Sequence, residues 1–297
     1  MKIGIPLSKN AYTPESYAYY DFLISKGCDV ELDYILEPKN DINVYFMGFR
    51  PFWKNEKTNG LEVHEYQSLS TPPFAYLKNT LKTRLNSKPN GRIFLNDFVK
   101  QEVDFTDNVP FITRDMGIDK SFFQKPIKNP EYDITYCGSI LGRIGLIDEI
   151  IRLGLLGFRV QIIGNIDEKT IEILKKYKNI KIWGRVDRKN IPALYQNSRC
   201  GLNFTPDIYP FNMQTSTKVL EYAASNLLIL SNRYNWSEKF NKKNSLGMIW
   251  LDEVKSYDNF YRNRTPSFDN THLCKFEWNI LLENSGFYDF LLNIVNK

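Results

Sequence analysis

Residues 215–232, TSTKVLEYAASNLLILSN, leave few options for the fold around them. The stretch reads as a short helix that runs into a buried strand. Thr215, Ser216 and Thr217 stand where a helix N-cap belongs, and the unpaired N–H groups of a helix start can receive an anion. Lys218 lies one residue into the helix, and Glu221 follows three residues later on the same side. Leu227, Leu228, Ile229 and Leu230 form a short apolar run without alternation, the pattern of a strand covered on both faces in a parallel sheet. One helix start thus offers hydroxyls, N–H groups, a cation and, a turn deeper, a carboxylate. This set suits a phosphate with a sugar hydroxyl beyond it.

The surrounding chain alternates in the way such a unit requires. In the second half, strands are expected at 132–137, 158–163, 180–183 and 200–204, and helices at 146–156, 167–178 and 190–197. A glycine-rich turn, residues 138–145, holds Ser139 and Arg143. Strands alternating with helices of this size imply a parallel, doubly wound sheet. The first half repeats the alternation, with strands at 2–7, 29–35, 42–47, 61–64, 92–95 and 109–113. Thr13, Pro14 and Glu15 open a helix that Gly27 stops, a cap followed by proline in the first turn. Further helices are expected at 74–86 and 97–103. The loop SKNAYT after the first strand lies where open α/β sheets bind ligands, without a glycine fingerprint. Residues 115–130, with Gly, Asp, Lys and two prolines, read as a linker. The expected organisation is therefore α/β: a Rossmann-like domain at 1–120, a second at 121–275 and a closing helix within 276–297 that packs back on the first. Two such domains place their strand ends around a cleft.

Composition narrows the function classes. With 297 residues and 42% apolar content, the chain has ample core for two globular domains. A net charge of +5 permits an anionic partner without requiring nucleic acid, and none is expected. Cys28, Cys137, Cys200 and Cys274 are far apart with no CxxC pair, so neither a metal site nor a disulfide framework is expected. No leader peptide is expected from the opening residues, and no apolar run nears the ~20 residues of a membrane span. The location expected is cytoplasmic.

Four segments carry a family resemblance: YCGSILGRIGLIDEI, VQIIGN, IKIWGRVDRKNIPALYQNSRCGLNF and STKVLEYAASNLLILSN. In order and approximate spacing they resemble the nucleotide-sugar-binding domain of GT-B glycosyltransferases of the family 4 type. The resemblance implies transfer of a sugar from a nucleoside diphosphate donor, UDP-linked as the first choice, to a glycan or lipid-linked glycan. It implies a bacterial, metal-independent enzyme without a cofactor, and no DxD-like motif lies in a suitable loop. Gly138, Ser139 and Arg143 would then hold the diphosphate from one side. Ser216, Thr217 and Lys218 would hold it from the other, with Arg143 and Lys218 stabilising the leaving charge. Glu221 would bind the ribose hydroxyls, and Gly184, Arg185 and Val186 would line the base pocket. His64, read as the end of a short strand, matches a first-domain histidine near the reacting centre; Asp97 and Asp115 are alternative carboxylates.

The sequence departs from the family pattern where two glutamates separated by seven residues are common. Met213 takes the first position, flanked by Asn212 and Gln214 as substitutes toward the donor sugar. A nucleotide-sugar epimerase or hydrolase, or a non-catalytic partner of a glycan assembly complex, are the alternative functions. Lys78, Lys82, Arg84 and Lys88 lie beside an apolar stripe of Phe74, Leu77, Leu81 and Leu85, with no acid between Glu65 and Asp97. That helix reads either as a solvated face or as a contact with an anionic membrane surface at its inner face. Phe49, Phe52 and Trp53 read as loop or core packing, or as stacking partners for acceptor sugars.

Overall fold

The structure, a computed structural model, describes residues 1–8, 13–54, 60–140, 142–261 and 271–297. It divides into two compact units, residues 1–117 with 275–297, and residues 118–274. Most of the SKNAYT loop and residues 55–59 lie outside the described residues.

The first unit runs β1 (Lys2–Pro6), α1 (Pro14–Ser25), β2 (Asp29–Asp33), β3 (Ile42–Phe46), β4 (Leu61–Tyr66), α2 (Ala75–Leu85), β5 (Gly91–Phe94), α3 (Asp97–Val103) and β6 (Phe111–Thr113). Its six strands are all parallel, in the order β2-β1-β3-β4-β5-β6. Ile3, Ile5, Ile42, Val44 and Val63 are wholly buried, which is why the apolar strand centres pair in this register. Pro14 starts α1 as expected, but Thr13 does not cap it; its hydroxyl meets that of Ser16 at 2.8 Å. β4 does not end at His64. It continues through Glu65 and Tyr66, whose partners are Ile93 and Phe94 of β5. The stripe on α2 also differs from an ordinary core face: the helix has no buried residue.

The second unit runs β7 (Tyr132–Cys137), α4 (Leu146–Leu155), β8 (Val160–Ile163), α5 (Glu168–Leu174), β9 (Ile180–Gly184), α6 (Ile191–Gln196), β10 (Ser198–Asn203), α7 (Thr217–Ala224), β11 (Leu228–Ser231), α8 (Asn235–Asn244), β12 (Ile249–Trp250) and α9 (Tyr257–Tyr261). Its sheet has the order β12-β11-β10-β7-β8-β9, again parallel throughout. The order reverses between β7 and β10, and in such sheets ligands bind beyond the carboxyl ends of the strands that flank this switch point. The core contains Ile134, Val160, Ile162, Leu202 and Leu230, all wholly buried. α4 adds Leu146, Ile150 and Leu153 from one stripe. The linker-like residues 115–130 are not featureless. Ile118 and Phe122 are wholly buried, and the Phe122 ring packs on Tyr195 with centroids 5.5 Å apart.

The chain ends in α10 (Trp278–Asn284) and α11 (Phe287–Val295), which belong to the first unit. Leu282, Phe287 and Leu291 join the core built by β1, β3 and α1. The single helical pattern of the sequence is two helices because Gly286 turns with φ +67° between them.

Candidate functional site

At the carboxyl ends of β7, β8 and β9 stand Gly138, Gly164 and Gly184, all with positive φ. Two of these glycines answer a spatial need. A Cβ on Gly164 would lie 2.1 Å from the carbonyl oxygen of Gly138, and one on Gly138 would lie 2.9 Å from Cε of Lys218. The strand ends are therefore shaped for a close approach of backbone, and Lys218 comes directly against Gly138.

Helix α7 is held there by Tyr222, one turn beyond Lys218. The Cys137 N–H donates to the Tyr222 hydroxyl at 2.9 Å, while the ring lies flat on β10 where Gly201 has no side chain. A Cβ at Gly201 would meet that ring at 2.2 Å. Residues four apart share a helix face, so fixing Tyr222 at the end of β7 also places Lys218 there.

Lys218 is half-buried, with Nζ 5.8 Å from the centre of the Tyr136 ring. Among the described residues no hydrogen bond or ion pair holds its ammonium. Burial, with the charge of Arg143 added, lowers its pKa to about 8. Arg143 is also half-buried, in the turn after β7, and its Nη1 donates to the carbonyl of Phe204 beyond β10 at 2.8 Å. Two cations thus converge at the switch point with no carboxylate paired to either among the described residues. Such an arrangement favours an anion.

The start of α7 adds to this. Ser216 is the N-cap residue, but its side chain does not cap the helix; the hydroxyl donates to Asn203 Oδ1 at 2.9 Å. Asn203 is fixed in turn, donating to Ser231 Oγ at 2.9 Å and to the Tyr234 hydroxyl at 3.0 Å. The first N–H groups of α7, those of Thr217 and Lys218 among them, are left without a side-chain acceptor and form the positive end of the helix dipole.

Glu221 lies one turn deeper and is almost wholly buried. Arg188 Nη2 donates to its Oε1 at 2.8 Å and the Tyr195 hydroxyl to its Oε2 at 3.2 Å. Each carboxylate oxygen retains a further lone pair. Arg188 and Tyr195 have no part in the sequence reading: they come from the segment after β9 and from α6, over twenty residues away, and no local spacing reveals them. Arg185 is exposed and Val186 half-buried just beyond β9. Ser139 is exposed, and its carbonyl accepts from the Tyr136 hydroxyl at 2.7 Å. Met213 ends a short 3-10 turn, Phe211–Met213. On either side of it, Asn212 Oδ1 and Gln214 Nε2 are buried without a hydrogen-bond partner.

The first-unit candidates are placed differently. His64 has no exposed surface, and its Nε2 is 3.0 Å from Glu62 Oε2. Burial lowers its pKa, so the ring is neutral at neutral pH. Asp97 opens α3, which Asn96 caps through a 3.0 Å bond from the Val99 N–H. Asp115 Oδ1 accepts from the Met116 N–H at 2.8 Å. Among the described residues no three His, Cys, Asp or Glu side chains are grouped so as to hold a metal ion.

Residues 143–251 match the profile of a glycosyl transferase-like family. No curated protein sequence matches the chain. Sucrose-phosphate synthase from Thermosynechococcus elongatus superimposes with a TM-score of 0.69 at 11% identity, over 98% of this chain and 99% of that one. AviGT4, a glycosyltransferase involved in avilamycin A biosynthesis, gives 0.64 at 13% identity, over 99% and 98%. The Anabaena protein Alr3699/HepE, in complex with UDP and glucose, gives 0.65 at 9% identity, over 98% and 99%. At such identities the structural likeness is one of fold, and it spans both units. The glycosyl transferase-like segment thus lies in the second of two Rossmann-like units whose shared fold is the GT-B architecture of these structures.

Proposed function

We infer that the protein transfers a sugar from a nucleoside diphosphate sugar to a hydroxyl of a glycan or lipid-linked glycan. The observation that carries the donor class is the pair of unneutralised cations, Lys218 and Arg143, beside an uncapped helix start at the switch point. A diphosphate supplies the charge this corner lacks. The UDP held by the Anabaena protein of the same fold supports uridine as the base.

In this reading the acceptor hydroxyl attacks the anomeric carbon, the bond to the diphosphate oxygen breaks, and the hydroxyl proton passes to the departing diphosphate. Negative charge grows on the departing diphosphate, where Lys218, Arg143 and the N–H groups of Thr217 and Lys218 stabilise it in place. Those fixed charges do the work a divalent cation does elsewhere, so no metal enters the reading. Gly138 and Ser139 form the wall that lets the diphosphate approach the strand end. Glu221, held by Arg188 and Tyr195, takes the ribose hydroxyls on its remaining lone pairs, and residues Gly184, Arg185 and Val186 border the base. Asn212 and Gln214, with their unpartnered amide atoms, face the donor sugar in place of a carboxylate at Met213. His64, buried and bonded to Glu62, supports the sheet and does not touch substrate.

Isothermal titration calorimetry with UDP and GDP tests the donor site. One nucleoside diphosphate is expected to bind, and Lys218→Ala to weaken it by about ten- to a hundredfold, the cost of one charge-assisted hydrogen bond. Absence of binding, or equal binding by the variant, refutes the site. Release of UDP from a panel of donor sugars, measured with and without added glycan, then separates transfer from epimerisation or hydrolysis.

A further inference from the structure

α2 and the segment before it expose what a helix of its pattern normally hides. Phe74 is 75% exposed, Tyr76 85%, Leu77 55% and Leu81 42%. Phe52 and Trp53 add 62% and 54%, with ring centroids 4.9 Å apart, and Phe49 meets Trp53 at 6.3 Å. These two groups form one surface because the segments are tied together. The Arg50 N–H donates to Asn86 Oδ1 at 2.9 Å and the Ser87 N–H to the Arg50 carbonyl at 3.0 Å, at the end of α2. A contiguous apolar patch of this kind on a soluble surface marks an interaction site.

Along α2 and the segments on either side of it, residues 66–96, the charge has one sign. Lys78, Lys82, Arg84 and Lys88 have no ion-pair partner among the described residues, Lys78 Nζ donating only to the Thr71 carbonyl at 3.1 Å, and no acid lies between Glu65 and Asp97. Lys78 and Lys82 stand four apart on the helix, where like charges repel. Between α2 and the preceding loop lies a groove of about 450 Å³, lined by Phe49, Ser70, Thr71, Lys78, Leu81 and Lys82 among others. Ser70 is only 7% exposed, yet its hydroxyl has no hydrogen-bond partner. A buried, unsatisfied hydroxyl beside two ammonium groups points to a missing acceptor.

We propose that this face docks on an anionic lipid bilayer. The aromatic and leucine side chains enter the headgroup–acyl boundary, and a headgroup phosphate sits in the groove against Ser70, Lys78 and Lys82. The charge complementarity selects a lipid surface over an apolar protein partner: a protein hot spot pairs its cations with carboxylates at fixed places, whereas these four are spread along the rim of an exposed apolar face. The proposal stands apart from the donor site and survives its failure.

The test is co-sedimentation of the full chain with vesicles of phosphatidylcholine alone and of phosphatidylcholine with about one third phosphatidylglycerol. Binding is expected to the second only, and to fall as salt rises. Lys78→Ala with Lys82→Ala should weaken it about thirty-fold, at about 1 kcal/mol per cation near the surface. Phe74→Ser with Leu77→Ser should weaken it at least about tenfold, through lost apolar burial. All four positions are at the surface, and an unchanged thermal melt shows that the variants fold. Binding to neither vesicle, equal binding to both, or binding untouched by either pair of substitutions overturns the proposal. So does displacement by glycerol phosphate at matched ionic strength, which reduces the site to a soluble phosphate pocket. Dimerisation without lipid that Leu77→Ser abolishes, together with failure to bind vesicles, assigns the face to a second copy instead.

Discussion

In the proposed donor site, the ammonium of Lys218 is expected to set the pH range over which a nucleoside diphosphate binds. Burial and Arg143 hold it at about 8, against an ordinary value of about 10.4. A diphosphate beside it favours the charged form, so its pKa rises in the complex. Affinity is then full where the ammonium is already charged, and it falls as pH climbs through 8, because binding must take up a proton. With the bound pKa above the range studied, affinity follows the protonated fraction: roughly 0.9 at pH ~7 and 0.1 at pH ~9, a loss of about tenfold or ~1.4 kcal/mol. Nearby groups do not blur the window, since Cys137 is raised to about 11 and Tyr136 to about 12. Calorimetry with UDP in two buffers of different ionisation enthalpy reads both quantities, and near pH 8 about half a proton should be taken up. Lys218→Arg keeps a cation that stays charged throughout, so its profile should be level. A level profile in the parent chain, or a slope that persists in Lys218→Arg, shows that the titrating group is not Lys218 and refutes the reasoning.

Four further outcomes are expected. Gly138→Ala forces a Cβ against Lys218 at a positive φ; UDP affinity should drop at least tenfold for a stability loss of about 1–2 kcal/mol, compared by calorimetry and thermal melts. Glu221→Gln should lower stability by about 1–3 kcal/mol through the loss of its charge pairing with Arg188, and a double-mutant cycle with Arg188→Met should recover most of the coupling. His64→Gln should change melting temperature but leave turnover per folded molecule unaltered. Because the folded His64 pKa is lowered, its stabilising share is present above about 6.5 and is lost as pH falls below that value, a slope the variant should lack in an acid melt series.

The alternation of apolar strands and amphipathic helices carries most of the fold, and in the second unit it suffices because fully buried parallel strands are continuous apolar runs. α8 escapes such a reading. Its sequence, NWSEKFNKKN, buries only Ser237, Phe240 and Asn244, too few to show a period. β12 is two residues long and has no pattern at all. His64 lies inside β4 and not at its end, because Glu65 and Tyr66, which look like a strand exit, continue the strand. Glu65 is instead buried with Arg114 and Tyr19, bonds that span 49 and 46 residues. The donor corner divides in the same way. Lys218, Gly138 and Arg143 are visible as local motifs, whereas the partners of Glu221 and Ser216 come from other strands and helices. The hydroxyl run before α7 suggested a cap that the fold redirects to Asn203.

The ring of Tyr222 acts as a ruler. A helix's own hydrogen bonds are indifferent to where it lies along its axis, so its position is set by what its side chains pack against. Here a rigid phenol, pressed on Gly201 and tethered to the Cys137 N–H, fixes how far α7 advances over the sheet. The reach of Lys218 is therefore decided by Tyr222 and Gly201, beneath it. Tyr222→Phe removes the tether and keeps the spacer, whereas a side chain at residue 201 meets the ring and pushes the helix outward. The position of the Lys218 ammonium at the end of β7 is thus set from beneath, by the floor on which α7 rests.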